Sequence, residues 1–239
     1  MSRSVFWNGW WYFFYSEFTD AFTTKYRISK KLEGPWIAPD HDTIDGRAFY
    51  AAKSTFLNGK RFFTGWISTK EGEKDDGAWQ WAGTMSTLEA VQKDNGTLSF
   101  KFPDSLVNSF DKKIPFSIEP KKLNAIDSFK SAVSNVDLPN NSYTKISFEV
   151  DKGTHEFGVL LRSSQDGDSS YFIRLEPNRS RMVFDRWPRK NTGTEQWQIS
   201  GDVPFYVELE RPSDLSLGSH TLEIIVEDSI AVIVLDQDV

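Results

Sequence analysis

Short runs of strand-forming residues recur along the whole chain, separated by turn signals, and almost nothing carries a helical period. In the first half these runs are aromatic: Trp10 to Tyr15, Thr24 to Ser29, Phe49 to Leu57, Lys60 to Ile67, Trp79 to Gly83 and Thr97 to Phe102. The turn segments are Leu32-Glu-Gly-Pro35, Asn58-Gly59 and Asp94-Asn-Gly96. Asn58-Gly59 between two apolar runs predicts a type I′ hairpin, because both residues tolerate a positive φ. Pro103 to Phe110 predicts one or two helical turns, with Pro103 at the first helical position.

Beyond about Phe110 the pattern changes to longer alternations. Apolar residues alternate at Ile146, Phe148 and Val150; Phe157, Val159 and Leu161; Tyr171, Ile173 and Leu175; Phe205, Val207 and Leu209; Leu222, Ile224 and Val226; and Ile230, Val232 and Val234. A period of two in successive strands with short polar turns predicts a β-sandwich, apolar inside and polar outside. The expected fold class is therefore all-β, in two parts: residues 1–111 and residues 112–239, with Lys112-Lys-Ile-Pro115 as the crossing segment. The short, evenly spaced aromatic strands of the first part read as propeller blades. A blade takes roughly 40–50 residues and a propeller about 4–8 blades, so residues 1–111 supply only about two.

Composition narrows the chemistry. The chain has 239 residues, 15% of them aromatic, including 9 Trp and 19 Phe. Such a load serves either a β-sheet core or a surface that stacks on flat ligands such as sugar rings. The formal net charge of −6 argues against a nucleic-acid partner, which needs a basic face. No apolar run approaches the ~18 residues of a membrane-spanning helix. The absence of Cys removes thiolate nucleophiles, disulfides and Cys-based metal sites, and three scattered His do not suggest a metal site or a Ser-His-Asp triad. No cofactor is expected. The N-terminal Met-Ser-Arg-Ser-Val-Phe-Trp has no apolar segment of the secretory type.

Several stretches resemble glycoside hydrolase family 32, the β-fructosidases. Val5-Phe6-Trp7-Asn8-Gly9-Trp10-Trp11-Tyr12 is similar to the strand after that family's Glu-Cys-Pro-Asp motif. Tyr26 to Ser29 with Leu32 to Trp36 is similar to a following blade edge. The most specific stretch is Asp45-Gly46-Arg47-Ala48-Phe49-Tyr50-Ala51-Ala52-Lys53 followed by Lys60 to Ile67. In the family, a Phe-Tyr-Ala strand and a Gly-Trp strand line the fructose pocket. Asn95 to Leu98, Phe102-Pro103 and Met182 to Arg186 are further points of similarity. The resemblance implies a five-bladed propeller joined to a β-sandwich, cleaving β-fructofuranosyl bonds of sucrose or fructans with retention.

It also implies three acidic motifs, and none is present. The sequence has no Asn-Asp-Pro and no Arg-Asp-Pro, and Met1-Ser-Arg-Ser4 stands where the acid/base Glu motif would fall. The expectation is a fragment with the last two blades and most of the sandwich, inactive alone. No residue is assigned a catalytic role. Tyr50, Trp66, Phe49, Arg47 and Asp45 are the expected substrate-binding residues: an indole stacks on a sugar's C–H face, while a phenol or guanidinium bonds hydroxyls. Among carboxylates, Asp20, Asp40 and Asp42 read as turn residues, and Glu17, directly after an aromatic strand, has a pocket-facing position as its rival reading. Adjacent Trp10 and Trp11 must face opposite ways, one into the core and one between blades. Trp79 and Trp81 share a face at a site rim or blade end. Arg186-Trp187-Pro188-Arg189 reads as a patch packed across the domain boundary. The rival readings are a non-catalytic fructan-binding module and a structural β-sandwich.

Overall fold

The computed structural model describes residues 2–19, 22–47, 49–74, 77, 79–80, 83–119, 122–126, 130–164, 169–186 and 206–236. The chain is all-β, as its periodicity predicts, with a single α-helical turn among the described residues. Strands β1 (Ser2–Trp7), β2 (Trp10–Glu17) and β3 (Thr23–Ser29) form an antiparallel meander. The irregular segment 36–44 runs along the free edge of β3: Tyr26 N donates to Asp42 O at 2.8 Å and Ile28 N to Ile37 O at 2.9 Å. Its backbone bonds occupy an edge that would otherwise be open to pairing. Strands β4 (Phe49–Leu57), β5 (Lys60–Ile67), β8 (Met85–Gln92) and β9 (Leu98–Lys101) form a second meander, from which the short pair β6 (Thr69–Lys70) and β7 (Trp79–Gln80) projects. The two meanders have three and four strands, and the described residues do not close a propeller ring.

The hairpins obey their turn residues. Asn58 and Gly59 have φ of 51° and 81°, and Asn8 and Gly9 have 44° and 81°, the paired positive values of a type I′ turn. Helix α1 (Asp104–Val107) starts one residue later than expected, with Pro103 as its cap and not its first residue. β8 falls between two runs that the periodicity marks, and is itself unmarked. Leu88, Glu89 and Ala90 are all buried, so its burial does not alternate. Glu89 is held by Lys60 at 3.1 Å and Lys101 at 3.6 Å, which makes a charged residue a permissible interior one. The run expected over Trp79 to Gly83 is a strand only at Trp79–Gln80 among the described residues.

The first two sheets pack face to face. Tyr12, Phe14, Tyr26 and Ile28 of the first meet Phe49, Phe63, Leu88 and Phe100 of the second, with Phe14 and Phe63 ring centroids 4.7 Å apart. The Tyr12 hydroxyl donates to Gly96 O at 2.7 Å, and burial pushes its pKa up to about 12. Trp10 leans on the backbone of Gly96, and Lys30 sits 3.4 Å from its ring centroid. Trp11 faces the other way and meets Phe6, so the two neighbours do point to opposite faces.

The rest of the strands make two more sheets. β10 (Asn141–Val150), β15 (Gly218–Glu227) and β16 (Ile230–Leu235) form one, in the order β10-β15-β16. β11 (Phe157–Leu161), β12 (Tyr171–Glu176), β13 (Arg181–Arg186) and β14 (Tyr206–Pro212) form the other. A second core lies between them: Ile173, Leu175 and Met182 from one sheet, and Leu222, Ile224 and Leu235 from the other.

The expected polar outer face is absent from β16. Ile233 and Leu235 enter the second core, while Val232 and Val234 pack into the first, together with Ile225 and Tyr143. β16 is thus apolar on both faces because both are covered, whereas β10 keeps Lys145, Ser147 and Glu149 exposed. Arg211 adds a polar tie, with Nη1 donating to Thr43 Oγ1 at 3.1 Å. Between α1 and β10 the described backbone holds no strand, only a bridge between Ile118 and Ser134. Trp187 to Arg189 of the basic-aromatic patch, Trp81 and Phe205 lie outside the described residues.

Candidate functional site

Tyr50 and Trp66 face each other in register across β4 and β5, as near neighbours on one side of a hairpin should. Their ring centroids are 5.6 Å apart at 66°. The row continues: Phe22 stands 6.3 Å from Tyr50 at 82°, and Phe18 stands 5.2 Å from Phe22 at 82°. Four rings, each turned against the next, form a ridge where the β2–β3 loop meets the head of β4 and the end of β5. Phe18 is 74% exposed. Faces and edges alternate along this ridge, which is the kind of surface that takes the C–H face of a sugar.

The position of Tyr50 depends on a break in the strand. The β4–β5 register shifts between Tyr50 and Lys53, and Ala51 has φ of 55°. Such a bulge re-aims a side chain. The released N–H groups are taken up by the first sheet: Ala51 N donates to Ser16 Oγ at 3.1 Å and Ala52 N to Thr24 Oγ1 at 3.2 Å. Thr24 Oγ1 in turn donates to Phe49 O at 3.3 Å. Two hydroxyls of the first sheet therefore set the head of β4.

Phe49 differs from expectation. Its ring is 1% exposed and lies under Gly65, so it packs the core while its neighbour Tyr50 faces out. Alternation along a strand requires that split. Asp45 and Arg47 are half-buried in the loop that leads into β4, and both have interaction partners. Asp45 Oδ1 accepts from Gly46 N at 2.5 Å. Ile44, fully buried, pins this loop by donating its N–H to Thr24 O at 3.0 Å.

Two of the candidate carboxylates are held in ion pairs. Glu17 pairs with Lys25 at 2.7 Å, and Asp42 pairs with Arg27. Asp40 is exposed, and Asp20 lies outside the described residues. Among the described residues no three His, Asp or Glu side chains gather into a group able to hold a metal, and no helix is long and apolar enough to cross a membrane.

No family model matches the chain, and no curated protein matches it. Solved structures do. Exo-inulinase from Aspergillus awamori superposes with a TM-score of 0.58 over 96% of this chain and 48% of that one, at 13% identity. The chain shares its fold with that enzyme. A xylan beta-1,4-xylosidase from Bacillus halodurans C-125 aligns over 99% of this chain and 54% of that one, at 8% identity and a TM-score of 0.35. Both neighbours are glycosidases, and the chain spans about half the length of each.

The expected pair, Tyr50 and Trp66, is brought together; Phe18, Phe22, Ser16 and Thr24 join it without having been marked. Phe18 and Phe22 share the turn-rich loop after an aromatic strand, a local signal that was there to be read. Ser16 and Thr24 gave none, because a hydroxyl in a strand becomes informative only once its partner across the sheets is known.

Proposed function

We propose that the chain is part of a β-fructosidase-like glycoside hydrolase. Residues 1–111 contribute the final two propeller blades and residues 112–239 the β-sandwich. The ridge of Tyr50 and Trp66 contributes an aromatic wall of the fructosyl pocket, with Asp45 and Arg47 beside it, and the catalytic acids come from outside this stretch of sequence. Sucrose or a fructan is the substrate class. The observation that carries the reading is the in-register Tyr50–Trp66 pair, re-aimed by a bulge, on a chain that shares the fold of an exo-inulinase.

The chain by itself does not turn over substrate. A general acid and a nucleophile each contribute orders of magnitude, and the sequence lacks the motifs that would supply them. Purified chain incubated with sucrose, inulin and levan should release no fructose above a no-protein control, and fructose release would overturn that statement. In calorimetry, fructo-oligosaccharides should bind weakly, and Trp66→Ala or Tyr50→Ala should lower the affinity about fivefold, the equivalent of ~1 kcal/mol per ring contact. Titrations that stay flat for the unmodified chain would leave the ridge without a ligand role.

A further inference from the structure

Strand β16 feeds both cores, so whatever holds its end also holds the junction between the two halves of the molecule. That end is fastened to β15 at His220. The ring is 7% exposed and stacks on Phe148 of β10, centroids 5.6 Å apart at 23°. Nδ1 lies 2.6 Å from Asp236 Oδ2, just past the end of β16, and Nε2 lies 2.7 Å from Ser216 O in the loop before β15. Asp236 is itself fixed: its Oδ1 accepts from Thr221 N at 2.8 Å, and its N donates to Thr221 O at 2.9 Å.

Both atoms facing the ring are acceptors only, one a carboxylate oxygen and one a carbonyl oxygen. A neutral imidazole has one N–H and would turn a lone pair toward one of them; only the imidazolium donates to both. We propose that cationic His220 is a proton-operated latch on the end of β16, and that loss of its proton loosens this strand and with it the join between the two cores. The charged groups around the ring favour the cation. Asp236 comes from the end of β16 and Asp214 from the loop before β15. On β10, Glu149 reaches Ser219 at 3.5 Å, beside the latch. β11 meets this group through Phe157, which packs on Phe148 and is uncharged. Burial lowers the His220 pKa, but the bonds to Asp236 and Ser216 and the charges of Asp236 and Asp214 outweigh it, and the net shift is upward.

A raised folded-state pKa has a definite consequence. The stabilisation is complete below the ordinary histidine value of about 6.5 and is lost as pH rises through the higher folded-state midpoint. The test is an NMR titration of the imidazole nitrogens in the intact chain, together with hydrogen exchange of the β16 amides corrected for intrinsic rates. His220 should titrate above the ordinary value and carry protons on both nitrogens below that midpoint. Protection of Ile230 to Leu235 should fall across that midpoint. Asp236→Asn should lower the midpoint, and His220→Gln should make β16 protection independent of pH. A His220 midpoint at or below the ordinary value, a midpoint unmoved by Asp236→Asn, or β16 protection indifferent to the titration would each overturn the latch. Should His220→Gln fail to fold, the unmodified chain and Asp236→Asn still decide.

Discussion

Single atoms decide much of the packing under the aromatic ridge. Gly65 is an example: a Cβ there would stand 2.8 Å from the Phe49 ring. Phe49 is fully enclosed and cannot swing away, so the clash must be absorbed by backbone movement. Gly65→Ala should destabilise the chain by ~1–3 kcal/mol, the usual cost of overpacking a tight core. Urea unfolding would register it as a lower midpoint at unchanged slope, and an unchanged midpoint would mean that the ring has room. Because Gly65 lies beside Trp66, the same substitution should also weaken carbohydrate binding. At this scale the sequence was a poor guide to which residues face out. Phe49 and Tyr50 read alike as pocket residues, yet one is core and the other ridge.

At the scale of elements, the hairpins behave as their turn residues dictate. Gly59 has φ of 81°, and a Cβ added there meets nothing within 4 Å. Gly59→Ala therefore isolates the conformational cost from any steric one, and should lower stability by ~1–2 kcal/mol in the same urea measurement. Gly65→Ala acts by the opposite route, through contact without a positive φ. β8 shows where the pattern fails. A strand whose interior position is Glu89, neutralised by Lys60 and Lys101 from the neighbouring strands β5 and β9, breaks alternation for a reason that lies in other strands. The bulge at Ala51 is similar, since its N–H groups are satisfied by Ser16 and Thr24, some 30 positions earlier.

For the whole molecule, the shared middle sheet matters most. Ile225 belongs to the core of the first two sheets although it lies on β15, whose other face lines the second core. Ile225→Ala should cost ~2–5 kcal/mol and lower the midpoint of one common transition, followed by both tryptophan fluorescence and far-ultraviolet dichroism. Two separate transitions, with only one displaced, would show that the halves fold independently. The latch at His220 acts on the same junction, and its pH dependence should appear in that common transition.

The resemblance to the β-fructosidases named Tyr50 and Trp66; period-two alternation and turn residues were enough to determine an all-β chain, most of its strands and the Asn58-Gly59 hairpin. These are local properties: a strand's two faces and a turn's φ angles are written in neighbouring residues. The tertiary structure alone decided that β16 is covered on both sides, that Glu89 is an interior residue, that Phe49 is core, that the bulge sets Tyr50 opposite Trp66, and that Ser16 and Thr24 set the head of β4. Each depends on a partner supplied from elsewhere in the chain. Burial of a charge, satisfaction of a bulge and covering of a second face are properties of pairs, and no single stretch of sequence contains both members.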